Sequence, residues 1–304
     1  SAVWSGEGLL SMRLAYDVPV GSSGLRAGPY VSRTTYLLGE SFRSLDAHGT
    51  AQTFGALLGF PLIRSSALNV RAVAAGEARR LEDVVGATNS TNRKRADLVQ
   101  AGIAGDMRDD FLAGALTAFQ GTLTIGKLML DNSTFAAIDA AGPRTEGRYG
   151  KFVANIYRVQ NLSEDWRLGA SYSGQWASKN LDSSEKMSVG GLIGVRAYPL
   201  GESPGDNVQL LQLELRYQGP QLGPGQISPY GFFDAARSKI FRNNFTPSEF
   251  KNVRDLAGYG PGAEWSVPGF GYVRCWLAFK GTSEPATADT DRNKRFWLQA
   301  GVAL

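Results

Sequence analysis

The chain has one histidine, His48, and one cysteine, Cys275. A Ser–His–Asp triad, a Cys–His dyad or a thiolate–imidazole metal site needs one of these beside partners at defined spacing, and neither has them. Cys275 therefore reads as a small apolar residue on a strand and His48 as a polar loop residue. Asp109 with Asp110, and Asp289 with Asp291, are carboxylate neighbours at turns or loops and are assigned to solvation. No phosphate-binding loop or dinucleotide fingerprint stands out. The expectation is no catalytic residue, no metal site and no cofactor. One charged residue remains conspicuous. Arg196 lies inside Gly190-Gly191-Leu192-Ile193-Gly194-Val195-Arg196-Ala197-Tyr198-Pro199, an apolar, glycine-rich stretch in the longest connection of the chain. A loop tip in water has no reason to look like this, whereas a loop folded back into a lumen does.

The elements that must hold such a loop follow from a period of two. From Trp166 to Trp176 the even positions read Trp, Leu, Ala, Tyr, Gly, Trp and the odd ones Arg, Gly, Ser, Ser, Gln. About ten residues at ~3.3 Å, tilted by about 45°, cover roughly 23 Å, close to the ~25 Å apolar band of a membrane barrel with its aromatic girdles. The same alternation places Leu10, Met12, Leu14 and Tyr16 on one face, then Leu211, Leu213, Leu215 and Tyr217, and finally Phe296, Leu298, Ala300, Val302 and Leu304. Arg13, Glu214 and Arg216 then face a wet lumen, because at the lipid midplane such charges cost about 2–4 kcal/mol each. Hydrophobic residues are 43% of the chain and its mean hydropathy is −0.19. No run reaches the roughly 18 apolar residues of a membrane helix, so a membrane reading requires a barrel. The net charge of +4 is spread evenly, without the basic and aromatic runs of a nucleic-acid surface.

Thirteen strands are read at 7–17, 24–37, 50–60, 66–79, 94–106, 110–124, 148–160, 165–178, 207–218, 226–238, 255–267, 270–280 and 294–304. Short connections at 18–23, 61–65, 106–109, 161–164, 219–225 and 268–269 alternate with long ones at 38–49, 80–93, 125–147, 178–206, 239–254 and 281–293. Tight periplasmic turns alternating with long extracellular loops are the pattern of an outer-membrane barrel. The predicted fold is all-β, a transmembrane antiparallel β-barrel. Single-chain barrels have even strand numbers, so an odd number of strands is expected ahead of these thirteen. The opening Ser1-Ala2-Val3-Trp4 is neither a start methionine nor a signal peptide, which also reads as a fragment.

The segment around Arg196 resembles the two-partner secretion translocators, the TpsB family of haemolysin and filamentous-haemagglutinin exporters, within a superfamily that includes the barrel-assembly insertases. That family carries Gly-Gly followed by Val-Arg-Gly-Tyr/Phe in its sixth extracellular loop; here it is Gly190-Gly191 and Val195-Arg196-Ala197-Tyr198, with Ala197 in the glycine slot. A second family motif of an aromatic residue and an aspartate matches Gly231-Phe232-Phe233-Asp234-Ala235-Ala236, with Ala236 in place of glycine. Tyr16–Gly21, Pro61–Ser65 and Trp176–Leu181 fit the exporter branch. The resemblance covers essentially the whole chain, and implies that residues 1–304 form the barrel domain of a sixteen-stranded translocator, here its fourth to sixteenth strands. The first strands and the periplasmic POTRA domains would precede them. Leu304 departs from the terminal phenylalanine usual in the family, and the methyl groups of Ala197 and Ala236 imply looser loop docking.

The resemblance also implies roles. Arg196 at the loop tip reaches across the lumen to Asp234 on the wall, in a charge-assisted pair. Tyr198 and Phe232 pack beside it. Glu214 and Arg216, same-face neighbours, are read as a lumen-lining pair, and Glu202 and Asp206 as solvated loop charges. The implied function is a passive, monomeric outer-membrane pore that contacts lipid and is inserted by the barrel-assembly machinery. It exports a large unfolded TpsA-type β-helical exoprotein, with no ATP available in the periplasm. An insertase of the barrel-assembly branch is the alternative, and a diffusion porin is disfavoured because it leaves the apolar loop unexplained.

Overall fold

The computed structural model describes residues 2–5, 8–37, 46–247 and 249–302. Its strands are β1 (Ala2–Ser5), β2 (Leu9–Ala15), β3 (Val18–Val20), β4 (Leu25–Leu37), β5 (Ala47–Arg64), β6 (Leu68–Val85), β7 (Ser90–Asp109), β8 (Ala115–Leu130), β9 (Gly147–Asn161), β10 (Trp166–Ala177), β11 (Asn207–Tyr217), β12 (Gln221–Leu222), β13 (Gly225–Lys239), β14 (Val253–Val267), β15 (Gly271–Lys280) and β16 (Lys294–Val302). They form one antiparallel sheet in which each strand pairs with its sequence neighbours. Fourteen lie on a single path; β3 and β12 continue β2 and β11 past a short break, each pairing the strand across the turn. All thirteen predicted strands are present, and β1 adds a short one ahead of them. Among the described residues no ladder joins β1 to β16.

The alternation decides the two faces. Leu10, Met12, Leu14, Tyr16, Trp166, Trp176, Phe296, Leu298 and Val302 are all solvent-accessible on the outer face. On β7 the outward series runs Arg93, Arg95, Asp97, Val99, Ala101, Ile103, Gly105, Met107, Asp109. Its apolar part, Val99 to Met107, spans about 26 Å of strand, or about 19 Å after a tilt of 40–45°. The upper edge of that band is a register row, since Gln52 pairs Arg80 and Arg80 pairs Arg95. Above it the outer face becomes charged, with Arg93–Glu82 at 2.6 Å and Arg95–Asp131 at 2.7 Å.

This corrects several connections. Residues 80–93 are mostly strand, closed by a tight turn in which Asn89 adopts the left-handed conformation that Asn tolerates (φ 49°). Beyond the membrane band a ladder satisfies its own backbone groups, so charged strands can simply run on into water. His48 accordingly lies on β5, not in a loop. The 125–147 connection includes the end of β8 and a helix, α1 (Ser133–Ala141), capped by the Asn132 side chain on the Thr134 amide at 2.8 Å. Asp139 turns the chain into β9 by accepting from the Thr145 amide and hydroxyl and from the Glu146 amide. Asp109 is not merely solvated, because Arg158 pairs with both of its oxygens at 2.7 and 3.0 Å. Asp289 pairs with Arg295 and Asp291 with Lys280. Loop residues 38–45 and the terminal Leu304 lie outside the described residues.

Candidate functional site

The connection of residues 178–206 between β10 and β11 does not project outward. Its two limbs pair with each other: Met187 and Gly205 exchange two backbone hydrogen bonds, and the amides of Val189, Gly191 and Val195 donate to the carbonyls of Glu202, Tyr198 and Val189 in turn. The glycines permit this closeness. A Cβ at Gly190 would run into the carbonyl of Pro199, and one at Gly194 into that of Val189, while Gly191 turns the apex with φ +89°. The folded loop buries Val189, Val195, Ala197 and Tyr198 in one cluster with Val208, Leu210, Tyr230, Phe232, Leu256 and Trp276 of the wall.

Arg196 and Asp234 lie in contact. The guanidinium donates from Nε at 2.9 Å and from Nη2 at 2.6 Å, and the Arg196 amide adds a third bond at 3.0 Å. Asp234 has no exposed surface. Nη1 reaches Glu214, the guanidinium lies over the Phe232 ring at 3.8 Å, and the Arg196 carbonyl accepts from Trp297 Nε1 at 2.7 Å. The expected Glu214–Arg216 pair is present at 3.1 Å, but it is one step of a longer series in which Arg216 meets Glu264 at 3.2 Å and Glu264 meets Arg274. Charges of alternating sign thus run from the loop tip down the β11–β15 wall. Arg196, Glu214, Arg216 and Glu264 are each matched on both sides, which offsets the cost of removing them from water.

The expected looser docking is corrected. Ala197 is fully buried, and its methyl sits over Gly258 of β14, where an added Cβ would lie 2.7 Å away. The wall glycine makes the room that the loop alanine needs. Tyr198 is buried in the same cluster, but its hydroxyl turns toward the last long connection, to Thr282 at 3.0 Å and the Glu284 carbonyl at 2.9 Å.

Glu202 and Asp206 are also corrected, because both are fully buried rather than solvated. Folding the loop inward surrounds them with donors. Asp206 accepts from the amides of Leu181 and Arg242 and pairs with Lys186 at 3.0 Å. Glu202 meets Arg254 and the amides of Thr287 and Ala288. Burial alone would raise the Glu202 carboxyl, but those amides and the Thr287 hydroxyl outweigh it and hold it below the ordinary range. Burial lowers Lys186 despite its Asp206 partner.

The sequence reading missed the loop's other anchor. Asp182 pairs with Lys94 at 2.9 Å, and Glu185 pairs with Arg79 at 2.6 Å and Lys151 at 2.8 Å. The loop therefore spans the lumen, from β6, β7 and β9 to β13–β16, which curves the sheet around it. Trp297 was also missed, although an indole on the otherwise polar face of the last strand was a readable signal. Beside the Lys151–Glu185 contact an open cavity of about 1200 Å³ lies against β4–β10, lined by polar residues such as Gln100, Asn155 and Lys151 and by apolar ones such as Leu57, Phe119 and Val153.

This architecture has counterparts. CdiB from Escherichia coli superposes with a TM-score of 0.75 at 14% identity, covering 97% of this chain and 53% of that one. BamA from Haemophilus ducreyi lacking POTRA domains 1-3 superposes at 0.65 with 13% identity, covering 97% and 62%. In sequence, the chain is 25% identical over 291 residues to the heme/hemopexin transporter protein HuxB of Haemophilus influenzae, an alignment covering 95% of this chain. It spans about half (51%) of that relative's length. The model of the haemolysin secretion/activation family matches residues 6–264. The chain therefore belongs to the haemolysin secretion/activation protein family ShlB/FhaC/HecB.

Proposed function

We propose that this chain is the barrel of a two-partner secretion translocator, which passes one unfolded exoprotein outward across the outer membrane of a Gram-negative bacterium. The observation that carries this reading is a wall with a lipid-type outer face around a lumen bridged by one folded loop, fixed at its apex by Arg196–Asp234. A diffusion porin needs no such movable partition. A passenger needs a path that opens for it and closes otherwise. In this reading the loop occupies the lumen at rest and shifts during passage, while the open cavity beside it receives the extended chain. Recognition of the TpsA-type exoprotein falls to POTRA domains joined to this barrel, which works as a monomer and is inserted by the barrel-assembly machinery. The protein is a conduit and not an enzyme.

The test is exoprotein release and single-channel conductance in the full-length protein carrying Arg196→Ala. Release should fall and conductance should fluctuate or rise. Wild-type values for both would remove the role of the loop.

The insertase reading rests on the loop motif around Arg196, which the barrel-assembly branch shares. Deleting the gene in a cell with an intact barrel-assembly machinery separates the two. Loss of a single exoprotein supports export, and loss of many barrels supports insertion.

A further inference from the structure

The Arg196–Asp234 contact fixes only the apex of the loop. Six residues later the returning limb carries Glu202, a carboxylate with no exposed surface. Its partners come from elsewhere in the fold. Arg254 of β14 reaches one oxygen, to which the Thr287 hydroxyl also donates at 2.7 Å. The other oxygen accepts from the amides of Thr287 at 2.9 Å and Ala288 at 3.0 Å. Thr287 and Ala288 belong to the connection 281–293 between β15 and β16. Arg254 braces the same connection through the carbonyl of Pro285 and the Thr287 hydroxyl. Tyr198 reaches Thr282 and the carbonyl of Glu284 in it. The connection is itself held in shape by Lys280, bonded to the Glu284 carbonyl at 3.1 Å, and by Asp291, which accepts from the Ala286 amide at 2.8 Å.

The last long connection thus folds over the lumen loop, and Glu202 is the point where the two are joined most densely. A carboxylate accepting from two backbone amides, a hydroxyl and a guanidinium is fixed in both position and direction. Nothing in this contact requires Arg196, so the two attachments are separate.

We propose that Glu202 is a second positioning residue of the lumen loop, clamping it beneath the 281–293 connection, so that the loop leaves the lumen only when the Arg196–Asp234 pair and the Glu202 clamp have both opened. This rests on reading the loop as a movable partition of the pore, but its test needs no exoprotein.

The experiment uses the full-length protein with Cys275→Ser and a reporter, Val195→Cys, at an apex position that has no exposed surface while the loop is docked. Labelling by a maleimide of limited size, added from outside the cell, reports undocking; conductance in planar bilayers reports opening. Glu202→Gln keeps the size of the side chain and removes its charge. It should raise the labelling rate about tenfold or more, the range for a lost charge-assisted hydrogen bond. Adding Arg196→Ala should multiply that factor by the one Arg196→Ala gives alone, because two independent attachments hold one loop. Thr287→Pro removes both the amide and the hydroxyl that donate to Glu202 while leaving the lumen loop's own sequence unchanged, and should raise labelling in the same direction. Retained heat-modifiable mobility in gels identifies a folded barrel for every variant. If folded Glu202→Gln and Thr287→Pro label and conduct like the parent, the clamp does not exist. Exoprotein release measured in the same cells reports on export separately: a barrel that exports nothing while showing these labelling factors keeps the clamp and loses the export reading.

Discussion

The lumen loop meets the wall at two ends, and they are built differently. At the β13 end the side chains of Arg196 and Asp234 are 3% and 0% exposed, and all three bonds onto Asp234 come from Arg196. At the β6–β9 end Glu185 is shared by Arg79 and Lys151, and Arg79, itself 23% exposed, also pairs with Glu77. The first end is dry with a single source of charge for the aspartate; the second is wetter and redundant. A buried charge that loses its only partner cannot recover the hydration it gave up, whereas one with a spare partner or nearby water loses less. Position is therefore set at the β13 end, and the other end tolerates change.

The largest effect should come from breaking the dry end. Arg196→Met leaves Asp234 buried with no cation and only the residue-196 amide as donor, and should cost about 3–5 kcal/mol in unfolding of the detergent-solubilised barrel, followed by tryptophan fluorescence in urea. Arg196→Met combined with Asp234→Leu should recover most of that loss, and a double variant as unstable as the single one would refute the account. Next is the packing beside that pair. Gly258→Ala drives a methyl into Ala197 and should cost about 1–3 kcal/mol, an effect that Ala197→Gly should reverse. At the wetter end Glu185→Gln should cost less, about 1–2 kcal/mol, because two cations remain partly hydrated. If it equals Arg196→Met, the contrast between the ends is wrong.

The smallest effect concerns pH. Burial would raise the Asp182 carboxyl, but Lys94 beside it holds it below the ordinary range, as the amide partners of Glu202 do for that carboxyl. With the folded value below the unfolded one, their stabilisation is complete above roughly pH 4–4.5 and is lost as pH falls through the folded value. Apex labelling should thus stay flat from pH 7 to about 5 and rise only in stronger acid. A rise between pH 6 and 5 would show that other groups hold the loop.

Much of the wall was legible before any coordinates. Trp166–Trp176 alternates because one face meets hydrocarbon and the other water, and that requirement acts on each strand separately. Strand ends were less legible: residues 80–93 are polar whether they form a loop or a ladder standing in water, so hydropathy cannot separate the two. The apex motif drew attention to Arg196 and Asp234 because an arginine among glycines and aliphatic residues is locally odd. Glu202, Asp206, Asp182 and Glu185 are ordinary in their neighbourhoods, and only the inward fold of the loop gives them partners. Ala197 misled for the same reason, since the space for its methyl is made by Gly258, sixty-one residues away along the chain.

Taken alone, the sequence determined the period-two pattern, the antiparallel order of the strands and the presence of one inward-directed loop, because each depends on contacts with solvent, lipid or the next strand. The tertiary structure decided which charges are dry, which cation each carboxylate shares, and which connection lies over the loop. Those depend on distances between strands far apart in the chain, and Coulomb and hydrogen-bond energies are set by such distances and by the exclusion of water, neither of which is written in local composition.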